Sequence, residues 1–210
     1  MTRVVWYFDF ISPYAYLSLH TLGALPREVT LEYRPVLFAG LLSHWGQKGP
    51  AEIPPKRLWT YRSCVWLAQR QRLPFRLPAA HPFNSLPYLR LALAAGATPR
   101  AVHAIFDALW TSGADPAAAD VLAGLAETLG IEPGQLAEPA VKDQLRANTE
   151  QAAREGVFGV PSFRVAGEVF WGSDALDFLL AYLGEPGVLA TSQMQRAASL
   201  PIGVARAGSA

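Results

Sequence analysis

At 210 residues the chain is long enough for one domain with a sizeable core, or for a small domain carrying a large insertion. Apolar residues make up 51% and charged residues 17%, a globular composition, and no apolar run reaches the ~18–20 residues of a membrane span. A net charge of +1 without a basic cluster argues against nucleic acid as a partner.

The single cysteine, Cys64, permits neither an internal disulfide nor dithiol redox chemistry. Four histidines (His20, His44, His81, His103) lack ligand-like spacing, so no metal site is expected. The opening Met-Thr-Arg-Val-Val-Trp has none of the zones of a signal peptide, which makes the cytoplasm the expected location.

Val4–Phe8 is an unbroken apolar run of β-branched and aromatic residues and predicts a buried central strand. Ser12-Pro13 follows, a preferred cap and a preferred first helical residue, so a helix starts there and stops before Pro26. Leu31–Val36 predicts a second strand, giving a βαβ unit with a right-handed crossover and parallel strands. The pattern then turns helical for over a hundred residues. Leu58, Tyr61, Val65 and Ala68 place a helix over Lys56–Gln71. Further helices are predicted over Leu86–Ala95, Arg100–Thr111, Pro116–Leu129 and Ala140–Glu155, with Gly130 and Gly156 as C-caps.

Ser162–Val165 and Glu168–Trp171 flank Ala166-Gly167 and read as a hairpin. A last helix over Asp174–Leu183 ends at Gly184. The order predicts an α/β class with a four-stranded mixed sheet, resembling a thioredoxin-like fold with a large all-helical insertion. The segments 1–36 and 156–184 would form the thioredoxin-like domain, 37–155 the inserted helical domain, and 185–210 a loosely ordered tail.

Three segments are candidates for chemistry. Ser12 sits beyond the carboxyl end of the first strand, where open α/β sheets bind ligands, and at a helix start that favours an anion. Taken alone, Ser12-Pro13 reads as a good cap. Gly156-Val-Phe-Gly-Val-Pro161-Ser-Phe places a proline at the start of a strand, which read by itself is a strand-edge proline. Trp171-Gly-Ser-Asp174 offers a hydroxyl and an acid where the last helix begins, and by itself reads as a cap and a first-turn acid.

Together, Phe8-Asp-Phe-Ile-Ser12-Pro-Tyr-Ala-Tyr-Leu, Gly156-Val-Phe-Gly-Val-Pro-Ser-Phe and Phe170-Trp-Gly-Ser-Asp174 resemble the 2-hydroxychromene-2-carboxylate isomerases. These stand with kappa-class glutathione transferases and DsbA-type thiol–disulfide oxidoreductases, and the resemblance spans residues 3–184. It implies glutathione as cofactor and Ser12 as the catalytic serine. It also implies glutathione contacts from Ser12, Val160, Trp171, Gly172, Ser173 and Asp174, and a cis peptide at Val160-Pro161. Phe83 and Asn84 fall where the family lines its substrate site.

The implied reaction is a cis–trans isomerisation through a transient glutathione thiolate adduct, acting on a small aromatic or conjugated carboxylate in aromatic-compound catabolism. A homodimer is an accompanying expectation. One departure is visible: well-studied members carry a lysine in the loop after the second strand, whereas here the first lysine is Lys48, leaving Lys48, Lys56 or Arg57 to take its place. Two further readings stand beside the isomerase, a kappa-like transferase or peroxidase and a non-catalytic glutathione-binding protein. A DsbA-like dithiol enzyme is excluded, because Ser12-Pro-Tyr-Ala15 replaces both cysteines of a C-x-x-C pair. Cys64 is expected to be a buried structural residue away from the Ser12 segment.

Overall fold

The apolar opening run forms β1 (Thr2–Phe8), buried on both faces from Val4 onward as a central strand must be. The computed structural model describes residues 1–204. β1 pairs in parallel with β2 (Val29–Pro35) on one side and antiparallel with β3 (Ser162–Val165) on the other. β3 continues antiparallel into β4 (Glu168–Trp171), giving the sheet order β2-β1-β3-β4. Ala166 and Gly167 both take positive φ, 49° and 94°, as the two-residue turn between β3 and β4 requires.

Successive side chains of β1 point to opposite faces, and each face has its own core. On one, the Trp6 and Phe8 rings stack at 4.5 Å and meet Phe106 of α5 (Pro99–Thr111) at 6.2 and 5.8 Å. Phe10 closes that cluster, 4.6 Å from Phe106. On the other face, Val5 and Tyr7 are buried with Leu41, Ala152 and Val157. The sheet is thus covered by helices on both sides.

Ser12 caps α1 (Pro13–Leu19), its hydroxyl accepting the Ala15 N–H at 3.2 Å with Pro13 in the first turn. Of the remaining predicted helices, α3 (Pro54–Gln71), α4 (Leu86–Ala94) and α5 lie where periodicity places them. So does α7 (Pro139–Arg154), with Gly156 at φ +82° just after it. Segments 1–36 and 37–155 of the sequence reading lie together within one compact unit, Met1–Ala175.

Four elements depart from the sequence reading. A helix α2 (Phe38–His44) occupies what the sequence presents as loop. α6 (Ala119–Leu129) starts three residues after Pro116, because the Asp115 carboxylate accepts the Ala117 N–H at 2.9 Å and closes a turn first. The final predicted helix, α8 (Leu176–Gly184), begins after Asp174, which stays in the turn that follows β4. In the unit from Leu176 onward, α8 is followed by a 3-10 turn (Pro186–Ala190) and a further helix, α9 (Ser192–Ala198), capped by Thr191. The expectation for 205–210, the end of the 185–210 tail, lies outside the described residues. Among those described, no helix is long and apolar enough to cross a membrane.

Candidate active site

The turn from β1 into α1 is held from every side. The Asp9 carbonyl accepts the Ser12 N–H at 3.0 Å. The Asp9 carboxylate accepts the Ile11 N–H at 3.1 Å on Oδ1 and the Phe38 N–H at 2.8 Å on Oδ2, with a third bond from the Ser85 hydroxyl. The Phe10 and Ile11 carbonyls of the turn are also occupied. Trp110 Nε1–H donates to Phe10 O at 2.9 Å, and His81 Nε2–H donates to Ile11 O at 2.8 Å. With Nε2 as donor, His81 Nδ1 is the acceptor for the Tyr61 hydroxyl at 2.7 Å. Burial lowers the His81 pKa from its ordinary value, which keeps the ring in this neutral form.

Such a turn pre-positions Ser12. Its Oγ lies 3.4 Å from the Val160 carbonyl, a long bond for a hydroxyl donor, and only 7% of the residue is exposed. Val160-Pro161 is a cis peptide, as the resemblance implies; His81-Pro82 is a second one that the sequence reading did not anticipate. Among the described residues the Val160 amide N–H has no acceptor. Its neighbours are fixed, since Ser162 Oγ–H donates to Gly159 O at 2.7 Å and Gly172 N–H to Pro161 O at 3.0 Å.

The Trp171–Asp174 segment folds against this strand start. The Trp171 ring lies 5.1 Å from Phe158, and a Cβ on Gly159 would stand 2.5 Å from Trp171 Nε1, so only glycine admits the indole there. Trp171 nonetheless keeps 55% of its surface exposed. Gly172 takes φ +111°, and a Cβ there would meet Asp174 Oδ1 at 2.5 Å. Ser173 is half-buried and Asp174 exposed. Burial, with smaller contributions that include the Asp174 charge, raises the Tyr14 pKa, which puts Asp174 within electrostatic reach of the residue two beyond Ser12.

Phe83 is half-buried, 5.8 Å from His81 and 6.2 Å from Trp110, and so packs with the two rings that hold the Ser12 turn. Asn84 is exposed and spends its side-chain oxygen on the Leu86 N–H at 3.1 Å, at the start of α4. Of Lys48, Lys56 and Arg57, Arg57 is the cation whose charge bears on both Tyr61 and His81.

Cys64 requires a correction. It does not stand apart from the Ser12 segment: its side chain is hydrogen-bonded to that of Tyr14 across the α1–α3 contact. Helical periodicity assigns a residue to a face but not to a partner. The thiol is fully buried and its pKa is pushed up to about 12 by that burial, so it remains protonated at neutral pH. Cys64→Ser is expected to retain turnover, and a thiol-specific disulfide reagent is expected to leave the folded protein unlabelled at pH 7.5. Labelling of the native state, or turnover lost from a folded Cys64→Ser protein, would return the thiol to the mechanism.

Residues 3–184 match the model of the DsbA-like thioredoxin domain. The chain belongs to that family. Among curated relatives, a 2-hydroxychromene-2-carboxylate isomerase from Sphingobium xenophagum is 34% identical, over 87% of this chain and 99% of the relative. Human glutathione S-transferase kappa 1 is 27% identical over 85% of this chain and 89% of its own length. Of solved structures, that of a 2-hydroxychromene-2-carboxylate isomerase superposes with a TM-score of 0.76 at 26% identity, covering 95% of this chain and all of the other. This DsbA-like chain therefore has relatives named as isomerases and glutathione transferases, and its thioredoxin-like fold matches that of the solved isomerase.

The sequence reading missed Asp9, Tyr61, His81 and Trp110, which shape the turn without belonging to its motif. Asp9 had a signal, a lone acid between Phe8 and Phe10 in an apolar run. The other three act through partners 20 to 100 residues away along the chain, a separation that leaves no local trace.

Proposed function

We propose that this protein is a glutathione-dependent isomerase of the 2-hydroxychromene-2-carboxylate isomerase type, located in the cytoplasm. The observation that carries the reading is the pairing of the Ser12 hydroxyl, held by a long bond to the Val160 carbonyl, with the unpartnered Val160 amide beside it. A backbone N–H and C=O on one residue match an extended peptide, and an orphan amide in an almost buried position is costly without a partner. Both features fit glutathione. Bound there, glutathione supplies a thiolate that makes a conjugated double bond transiently rotatable and leaves unchanged.

The chain's own residues do the rest. Ser12 Oγ–H donates to the sulfur; a hydrogen bond to the charged form lowers a thiol pKa, so more of it is ionised at neutral pH. Val160 aligns the cysteinyl backbone, while Ser173 and Asp174 meet the γ-glutamyl end beside the exposed Trp171 ring. Phe83, and the amide of Asn84, border the substrate, and Arg57 pairs with its carboxylate.

A single kinetic series tests this. Isomerisation of 2-hydroxychromene-2-carboxylate is expected to require glutathione, to saturate with it, and to leave its concentration unchanged at the end. In the same series Arg57→Leu is expected to raise KM for the carboxylate and leave the glutathione dependence alone. Consumption of one glutathione per turnover would make the protein a transferase, the reading that the kappa-class relatives favour. Glutathione binding without turnover would make it a binding protein.

A further inference from the structure

A cleft of ≈ 370 Å³ opens between α2, α4 and α7, and none of Ser12, Val160 or Trp171 lines it. Its volume lies in the lower part of the range of small-molecule sites, about 300–1,000 Å³. The floor is apolar, from Leu37, Leu86, Leu145 and Ala153. Three permanent cations converge on it from two helices, Arg90 from α4 and Lys142 and Arg146 from α7, joined by His44 at the end of α2. The α7 residues fall three and four apart, on one stripe of that helix.

The opposing charge is small. Glu150 is the one acid lining the cleft and is drawn to Arg154 at 3.8 Å, while Arg146 meets Asp143 at 2.9 Å. Lys142 has no ion-pair partner among the described residues. The decisive group is Arg90, whose Nε is buried and has no hydrogen-bond partner among the described residues. A guanidinium whose Nε is desolvated and unpaired carries poorly compensated charge, and an anion in the cleft would offset that charge. In a chain whose basic and acidic residues nearly balance, this is a local excess of positive charge over an apolar floor.

We propose that this cleft binds an organic anion with an apolar body, an aromatic carboxylate in class, at a site separate from Ser12. The apolar floor takes the hydrocarbon, and Arg90, Lys142 and Arg146 take the carboxylate. Two of the cleft's lining residues, Leu37 and Leu86, are the chain neighbours of Phe38 and Ser85, which bond Asp9 from outside the turn. Binding there does not depend on glutathione chemistry.

The test is a titration of ¹⁵N-labelled protein with 2-naphthoate, and with 2-naphthalenemethanol as the uncharged analogue. Saturable shifts are expected at the Gly40, Arg90 and Thr149 amides with naphthoate. Lys142→Glu/Arg146→Glu, two exposed positions whose reversal spares the core, is expected to weaken this binding about tenfold, equivalent to about 1.4 kcal/mol. Arg90→Met is expected to weaken it further. Shifts confined to Ser12, Val160 and Trp171 would overturn the proposal, as would equal affinity for the alcohol, an affinity indifferent to the charge reversal, or no saturation at these amides.

Discussion

Ser12→Ala is expected to slow turnover about ten- to a hundredfold while glutathione still binds. The hydroxyl accepts the Ala15 N–H and reaches Val160 only at 3.4 Å, so its proton is weakly committed in the free protein and available to a sulfur. Losing one hydrogen bond to a charged group costs about 1.5–3 kcal/mol, which becomes that rate factor if the bond acts fully in the transition state. Binding is spread over the Val160 backbone and the Trp171–Asp174 segment, and those contacts survive the substitution. The same change removes the α1 cap, worth about 1 kcal/mol of stability. Ser12→Gly separates the two roles, since glycine at a cap position costs only a few tenths of a kcal/mol but carries no hydroxyl. Both variants are expected to raise the pKa of bound glutathione, read from its ultraviolet thiolate absorbance. A folded Ser12→Gly protein with the parent's rate and thiolate pKa would reduce Ser12 to a cap.

How much of this site was legible in the sequence depends on how local each cause is. Ser12 and Pro13 carry their own cap, and the hairpin residues Ala166 and Gly167 carry their own turn, so both could be read directly. The helix α2 could not. Its N-cap, Leu37, has no side-chain acceptor to offer, and the first N–H, that of Phe38, is satisfied by the carboxylate of Asp9, 29 residues earlier. The α6 start failed for the opposite reason, a local signal that was too general. Asp115-Pro116 suits a turn as well as a helix cap, and the carboxylate chose the Ala117 amide. Likewise the motif around Ser12 was plain, but its rigidity comes from Trp110 and His81, whose rings reach the Phe10 and Ile11 carbonyls through tertiary packing.

Asp9 yields the second large effect, and its sign follows from linkage. Burial raises its carboxyl from the usual 3.8 to about 6, against the pull of the N–H groups it accepts. Between those values the folded protein holds a proton that the unfolded chain has lost. The stability this group contributes is therefore fully present below pH 3.8 and lost as pH rises through 6, by about 3 kcal/mol in all. Asparagine does not titrate, so the stability of the parent relative to Asp9→Asn is expected to fall by most of that amount between pH 4 and 7, and to be flat above. Glu32 and Glu155, held below their ordinary values despite partial burial by bonds to Arg3 and Arg34 and to Tyr7 respectively, act in the opposite direction but cancel in the difference. Urea unfolding of both proteins at pH 4, 5, 6 and 7 measures it. A pH-independent difference would mean that the carboxylate is not desolvated. The absolute sign at pH 7 is a separate matter, because asparagine presents one oxygen where the carboxylate presents two. Either the Ile11 or the Phe38 N–H must then face an amide NH₂, and amide exchange at one of the two is expected to quicken in the variant. Ionising Asp9 thus costs stability as pH rises to neutral, while its bonds to the Ile11 and Phe38 N–H groups tie the turn that aims Ser12 to the start of α2.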